Sequence, residues 1–306
     1  MTEPAPAPLA AADDEAHQRF VDLVAEVRPE LFRYCARMTG SIFDGEDIVQ
    51  DTLARAHLAL CSMTEAPPLK PWLFRIAHNA AMDFLKRYER KRVDLVAEPP
   101  EPSEAEESGV DAALLEAALS RFVALPPQQR SALVLKDVLG HSLAETAATM
   151  GTSVAAVKAA LVRAREHLAR ALPPKAAIAE EPSVEERRNL RRYARLFNNR
   201  DWDGLRALMS EESRLDLVTR TRRRGAAAAE YYVRYEAIAP LEQLRAEAGS
   251  VDGVPVIALF RPASSAVPSY FMRIDWNGDQ VDLIRDFRYV PYIAEGALYT
   301  PDENHD

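Results

Sequence analysis

Residues 142–168 read SLAETAATMGTSVAAVKAALVRAREHL, and their spacing predicts two short helices joined by a tight turn. Ser142 is placed to cap the first helix, and Glu145, three residues on, completes a capping box. Leu143, Ala147 and Met150 recur at helical spacing and form an inward stripe. Gly151 ends that helix where a positive φ is needed, and Ser153 caps the next one. Val154, Val157, Leu161, Ala164 and Leu168 line one side of the second helix. Ala155, Ala156, Ala159 and Arg163 lie opposite, with Lys158 on a flank. A second helix carrying Lys158, Arg163 and Arg165 makes the pair a helix-turn-helix pattern, the smallest common device for seating a helix in the DNA major groove. An ordinary helical hairpin with a solvated basic face fits the same window. Arg165 stands close to the buried stripe, where a structural ion pair competes with a DNA contact.

Around this motif the 306-residue chain divides into three ordered blocks. Residues 1–15 form an acidic, Pro/Ala-rich tail without the basic start and apolar core of a signal peptide. Residues 16–95 are helical by pattern. Leu23, Val27, Leu31 and Tyr34 follow one helical face, Asp44 is placed to cap a second helix, and Pro71 opens a third, PWLFRIAHNAAMDFLKRYERKR. On that helix Leu73, Ile76, Ala77, Ala80 and Phe84 point inward, and Arg75, Asn79, Lys86, Arg87 and Arg90 are left outside. Residues 96–109, rich in Pro, Glu and Ser, bury too little apolar surface to offset chain entropy and are expected to be a flexible acidic linker. Residues 110–172 hold an Ala/Leu helix and then the helix-turn-helix, and Pro173 and Pro174 begin a linker over 173–183.

Residues 184–296 change character: a helical start gives way to VPVIALF, SYFMRIDW and QVDLIRDFRYV, with Asn277-Gly278 as a hairpin turn. Helices followed by an antiparallel sheet predict an α+β domain, and residues 297–306 are expected to be a loose tail. The fold class expected is therefore multidomain, with two all-α domains and a C-terminal α+β domain.

Net charge is −9, unusual for a protein whose whole surface meets DNA. The distribution matters more. Acid collects in the N-terminal tail and at 93–111, base at 86–92 (KRYERKR) and 220–224 (RTRRR), so a basic working face sits among acidic linkers. Cys35 and Cys61 are the only cysteines, which fits a reducing cytoplasm. No run of about 18 apolar residues points to a membrane span. The residues suggest no metal site and no cofactor.

In order and spacing, LFRYCARMTGSIFDGEDIVQDTLARAHLAL, LKPWLFRIAHNAAMDFLKRYERKR and LPPQQRSALVLKDVLGHSLAETAATMGTSVAAVKAALVRAREHL resemble the sigma-70 superfamily, in its extracytoplasmic-function class. With the linker they span roughly half the chain. FNNRDWDGLRALM, VDGVPVIALF and IDWNGDQVDLIRDF are similar to SnoaL-like domains, cone-shaped α+β folds that some members of the class carry at the C-terminus.

The resemblance implies a region-two domain at 16–95 and a region-four domain at 110–172. It implies that the chain binds core RNA polymerase, at the β′ clamp helices and the β flap, and directs it to promoter DNA without being an enzyme. Asp47, Ile48, Val49, Gln50 and Thr52 match the polymerase-gripping helix. Arg75, Asn79, Lys86, Arg87 and Arg90 match the element that opens the minus-ten region, with the loop at 62–69 capturing a flipped base. Ser153, Ala155, Ala156, Lys158 and Arg163 would face the minus-thirty-five element.

One departure stands out. Where members commonly show Lys-Ser-Arg-Leu, this chain has Lys158-Ala159-Ala160-Leu161. Alanine can touch a thymine methyl but cannot read guanine bidentately. In the third block the resemblance implies a regulatory module, open to a small ligand or an anti-sigma partner. Catalytic versions of that fold use a pocket aspartate, for which Asp216, Asp275, Asp282 and Asp286 stand available beside Tyr231 and Tyr232. A stand-alone helix-turn-helix regulator and a fused SnoaL-like enzyme remain the alternatives.

Overall fold

A computed structural model describes residues 9–60, 63, 67–95, 122–170, 183–295 and 297–302. It divides into two units, residues 1–176 and 177–306. The expected linker at 96–109, the Ala/Leu helix after it, Pro173 and Pro174 lie outside the described residues.

The first unit begins with a three-helix bundle: α1 (Leu9–Thr39), α2 (Ile42–Leu60) and α3 (Leu69–Leu95). The α2 cap differs from the expected one. The helix starts at Ile42, and the Ser41 hydroxyl, not Asp44, accepts from the Asp44 backbone N–H at 3.2 Å. Val27, Leu31, Tyr34 and Met38 of α1, Phe43 and Val49 of α2, and Leu73, Phe74 and Ala77 of α3 make the core. Ile76 and Phe84 are only half-buried, because Leu85 takes the inward position further along α3. Gly45 lets α2 lie directly on α1: a Cβ there would sit 2.6 Å from the Ala36 backbone. The Glu46 carboxylate, fully buried between the helices, is paired with Arg28.

The unit continues with α4 (Pro127–Leu133), a π-helical turn at Val134–Val138, α5 (Leu143–Met150) and α6 (Val154–Arg170). The expected turn chemistry is present in full. Ser142 accepts from the Glu145 N–H while Glu145 reaches back to the Ser142 N–H, closing the capping box. Gly151 adopts φ 61° and ψ 37°. Thr152 N–H donates to the Ala147 carbonyl and Gly151 N–H to that of Ala148, so orphan carbonyls at the helix end are satisfied. Ser153 then caps α6 by accepting from Ala156 N–H at 3.2 Å. Val157, Leu161 and Ala164 are buried as expected. Val154, expected on the buried side, is 38% exposed.

The second unit is a seven-stranded mixed sheet with helices packed on it. Its elements are α7 (Val184–Asn198), α8 (Trp202–Arg206), β1 (Met209–Leu217), β2 (Thr221–Arg224), α9 (Ala226–Ala229), α10 (Tyr231–Glu242), β3 (Arg245–Val251), β4 (Val254–Phe260), β5 (Tyr270–Asn277), β6 (Gln280–Asp286) and β7 (Tyr299–Pro301). The strand order is β2-β1-β6-β5-β4-β3-β7, with β1 parallel to β6 and every other pair antiparallel. The β5–β6 hairpin turns on Gly278 (φ 61°) and Asp279, between the paired residues Asn277 and Gln280. Its core gathers Tyr193, Phe197, Trp202, Tyr232 and Tyr235 from the helices against Ile257, Met272 and Ile284 of the sheet.

Of the expected tail at 297–306, residues 297–302 are described and are ordered against the sheet. Tyr299–Pro301 adds an edge strand to β3, and Asp302 is held by Arg191 at 2.6 Å. At the other edge, Thr221–Arg224 of the arginine-rich run form β2, exposed along its whole length.

Candidate nucleic-acid interface

The basic face of α3 follows from its periodicity. Arg75, Asn79 and Lys86 are exposed, on the side opposite the buried Leu73, Ala77 and Ala80; Arg87, seven residues beyond Ala80 and on its side of the helix, is exposed further along. The Arg90 side chain lies outside the described residues. Asp83 interrupts the face: Lys86 Nζ is 3.9 Å from its carboxylate, and Arg87 Nε donates to its backbone carbonyl. Of the loop before α3, Met63 is 43% exposed, and 61–62 and 64–66 lie outside the described residues. Tyr88, absent from the expected set, is 54% exposed and stacks on Phe84 at 6.3 Å. It continues the apolar side of α3 past the end of the bundle, which a purely periodic reading assigns to the core.

On α2 the structure separates the expected residues. Ile48, Val49 and Thr52 are buried in the bundle core and present no side chain to a partner. Asp47 is exposed, and Gln50 is half-buried at the rim. The outward stripe is Asp47, Asp51, Ala54 and Leu58, with Leu58 72% exposed. Asp51 also pairs with Arg55 at 2.8 Å. The signal was available in the sequence: those four positions follow i, i+4, i+7, i+11 from Asp47.

On α6, Ser153, Ala155, Ala156, Lys158 and Arg163 are all exposed. Arg165 is held by Asp137 of the π-helical turn in a bidentate pair, at 2.8 and 3.0 Å. Arg165 is thus engaged, though exposed, and among the described side chains the other cations on the outward face are Lys158 and Arg163.

The two helical parts of the first unit pack together through buried polar groups. Tyr34 of α1, His78 of α3 and Ser131 of α4 form a closed triangle: Tyr34 Oη to His78 Nδ1 is 2.9 Å, Tyr34 Oη to Ser131 Oγ 2.9 Å, and Ser131 Oγ to His78 Nδ1 3.0 Å. Burial pushes the His78 imidazole down to about 4, so it is neutral near pH 7, and raises the Tyr34 phenol. At the rim, Glu30 accepts from Lys70 at 2.6 Å and contacts His141 Nε2 at 3.1 Å. Burial alone would raise the Glu30 carboxyl, but the hydrogen bonds and charges of Lys70 and His141 outweigh it and hold it below its ordinary value. His141 also meets the Phe74 ring edge-on at 4.9 Å. Arg130 reaches across to donate to the backbone carbonyls of Met38, Val123 and Leu125.

In the second unit the candidate aspartates are engaged. Asp286 is fully buried. Its Oδ2 accepts from Tyr231 at 2.6 Å and Tyr235 at 3.1 Å, and its Oδ1 from the Arg288 N–H at 2.8 Å. Burial raises its pKa against the pull of those hydrogen bonds. Asp216 lies near Arg222 and Arg285, Asp275 is bonded to Arg273, and Asp282 to Arg214. Tyr232 donates to Tyr193 rather than to an aspartate. No group of three or more metal-ligating side chains occurs among the described residues. No described helix is long and apolar enough to cross a membrane.

Two exposed helix faces, one basic and one seated in a helix-turn-helix, make up the candidate interface. Comparison with known families makes this particular. Residues 23–91 match the model of sigma-70 region 2, and residues 115–168 that of sigma-70, region 4. The chain thus carries segments matching both sigma-70 regions, in the order 2 then 4, with an α+β domain following them. It is 32% identical over 232 residues to the ECF RNA polymerase sigma factor SigG of Mycobacterium tuberculosis, covering 65% of this chain and 62% of that protein. It is 28% identical over 171 residues to SigW of Bacillus subtilis, covering 50% of this chain and 88% of that one. Among solved structures, the Mycobacterium tuberculosis sigma factor SigJ aligns with 87% of this chain and 95% of its own, at 21% identity and a TM-score of 0.34. The chain thus spans less than two thirds of the length of SigG, the first curated relative it matches.

Proposed function

We propose that this chain is an initiation factor that binds core RNA polymerase and directs it to selected promoters. The outward face of α2, led by Asp47 and extended by Asp51 and Leu58, with Gln50 at its rim, meets the β′ clamp helices. It combines carboxylate, amide and aliphatic groups, the mixture that suits a part-polar interface. Arg75, Asn79, Lys86, Arg87 and Arg90 on α3 hold the minus-ten strand by neutralising phosphates, and Asn79 is suited to a base edge. The region-four helix faces the minus-thirty-five element, and its domain contacts the β flap. These roles are binding and melting, not chemistry, and place the protein with the polymerase in the cytoplasm.

The observation that carries this reading is the pair of exposed faces, on α3 and α6, within one helical unit. The unit must open to use both. Promoter elements about 25 base pairs apart are separated by roughly 85 Å of duplex, whereas a compact body of about 150 residues is only about 40 Å across. The Tyr34–His78–Ser131 contact is therefore what separates on the way to the promoter. The C-terminal unit regulates that step, by a small ligand or an anti-sigma partner.

Co-purification tests the reading. The full chain is expected to elute with core polymerase, and Asp47→Lys with Asp51→Lys to elute apart from it while remaining folded. If the unsubstituted chain does not associate with core polymerase, an initiation role is ruled out.

A further inference from the structure

The outward face of α6 differs from an ordinary major-groove reader in having almost nothing with which to hydrogen-bond a base. Down its centre run Ala155, Ala159 and Val162, the last 53% exposed, flanked by Ala156. Lys158 stands on one side of this seam and Arg163 on the other, and Glu166 closes it toward the C-terminus. Two of the polar groups nearby are engaged: the Ser153 hydroxyl accepts the Ala156 N–H as the helix cap, and both Arg165 contacts run to the Asp137 carboxylate, while Thr152 stands in the turn before the helix. No asparagine, glutamine or arginine stands in the first two turns of α6.

In the major groove, guanine, cytosine and adenine offer donors and acceptors, and only thymine offers an apolar group, its C5 methyl. Placing a base donor or acceptor against alanine and valine strips it of water without replacing the hydrogen bond, which is unfavourable. Placing a thymine methyl there buries apolar surface on both sides. The flanking cations fit phosphates on the two walls of the groove, fixing register without selecting sequence.

We propose that the upstream promoter element of this factor is read through thymine methyl groups packed against Ala155, Ala159 and Val162, with Lys158 and Arg163 as phosphate anchors. This rests on the initiation role argued above and deepens it by naming the chemistry of the DNA that is recognised.

The test leaves the protein unaltered. Full chain and core polymerase select initiating duplexes from a pool randomised across the upstream element, and each selected thymine is then replaced by deoxyuridine, which removes only the methyl. Enrichment of thymine at two or three neighbouring positions is expected, with initiation falling about fourfold for each methyl removed. Initiation that is insensitive to deoxyuridine overturns the proposal in favour of DNA-shape readout. Selection of guanine at these positions overturns it in favour of a polar reader elsewhere. Failure of every duplex to initiate, although the control factor of the same polymerase succeeds, overturns the initiation role itself and the methyl reading with it.

Discussion

Acidification should loosen the contact between the two helical parts of the first unit, through His78. Its imidazole sits at about 4 in the folded unit against an ordinary value of 6.5, because burial disfavours the charged form. Between those values the separated or unfolded chain binds a proton that the closed unit does not, so closure weakens as pH falls from neutrality. From pH 7 to pH 5 the loss works out at about 2 kcal/mol for this one group, equivalent to about a twentyfold change in the opening equilibrium. Glu30 does not share this window: its folded value lies below 4.5, so the stability it contributes fades only at lower pH. Hydrogen exchange of the full chain, read at the backbone amides of α4 and the middle of α3 and corrected for intrinsic rates, measures the effect locally. His78→Gln keeps a hydrogen-bonding amide in the triangle but cannot titrate, and His141 beside Glu30 is common to both proteins and cancels. Protection in the unsubstituted chain should fall about twentyfold more than in the variant between pH 7 and pH 5. Equal falls in the two proteins would refute the assignment of a buried neutral imidazole to this contact.

Other outcomes follow from the same geometry. Arg75→Ala with Lys86→Ala should weaken promoter opening and lower the slope of log affinity against log salt by about 1.4 if both side chains meet phosphates of a single strand, while association with core polymerase persists; footprinting across a salt series reads both. Gly45→Ala forces a Cβ to within 2.6 Å of the Ala36 backbone and should cost about 1–3 kcal/mol in denaturant unfolding of the first unit. Asp286, whose pKa is raised by burial, holds a proton in the folded unit at pH values where the unfolded chain has lost it, so its contribution is present in acid and fades as pH rises through the folded value. Asp286→Asn should remove that part of the pH dependence of second-unit unfolding, measured by tryptophan fluorescence in a Trp72→Phe background, which leaves Trp202 and Trp276 as reporters.

The helix-turn-helix is legible in the sequence because its geometry rests on local chemistry. A capping box at Ser142–Glu145, a left-handed residue at Gly151 and a cap at Ser153 each depend on neighbours within four residues. The basic side of α3 is legible for a similar reason, since the periodicity of a regular helix leaves few choices. On α2 the spacing of Asp47, Asp51, Ala54 and Leu58 marks the outward stripe, and Ile48, Val49 and Thr52 lie on the other side, where α1 approaches closely at Gly45. The pairing of Arg165 with Asp137 spans 28 positions, so the sequence could only leave its role open. β3, RAEAGSV, escapes a propensity reading because alanine, glycine and glutamate are poor strand formers. It is made a strand by β4 on one side and β7 on the other. The same pairing turns Tyr299–Pro301 from expected tail into sheet edge.

Permanganate reactivity of promoter thymines, with purified full chain, core polymerase and a duplex promoter, tests the central claim most directly. Single-stranded thymines should appear around the minus-ten region when chain and core polymerase are both present, and with neither alone. Tight binding of the chain by itself to duplex DNA, with no added reactivity when core polymerase is supplied, would contradict an initiation factor and favour a stand-alone regulator.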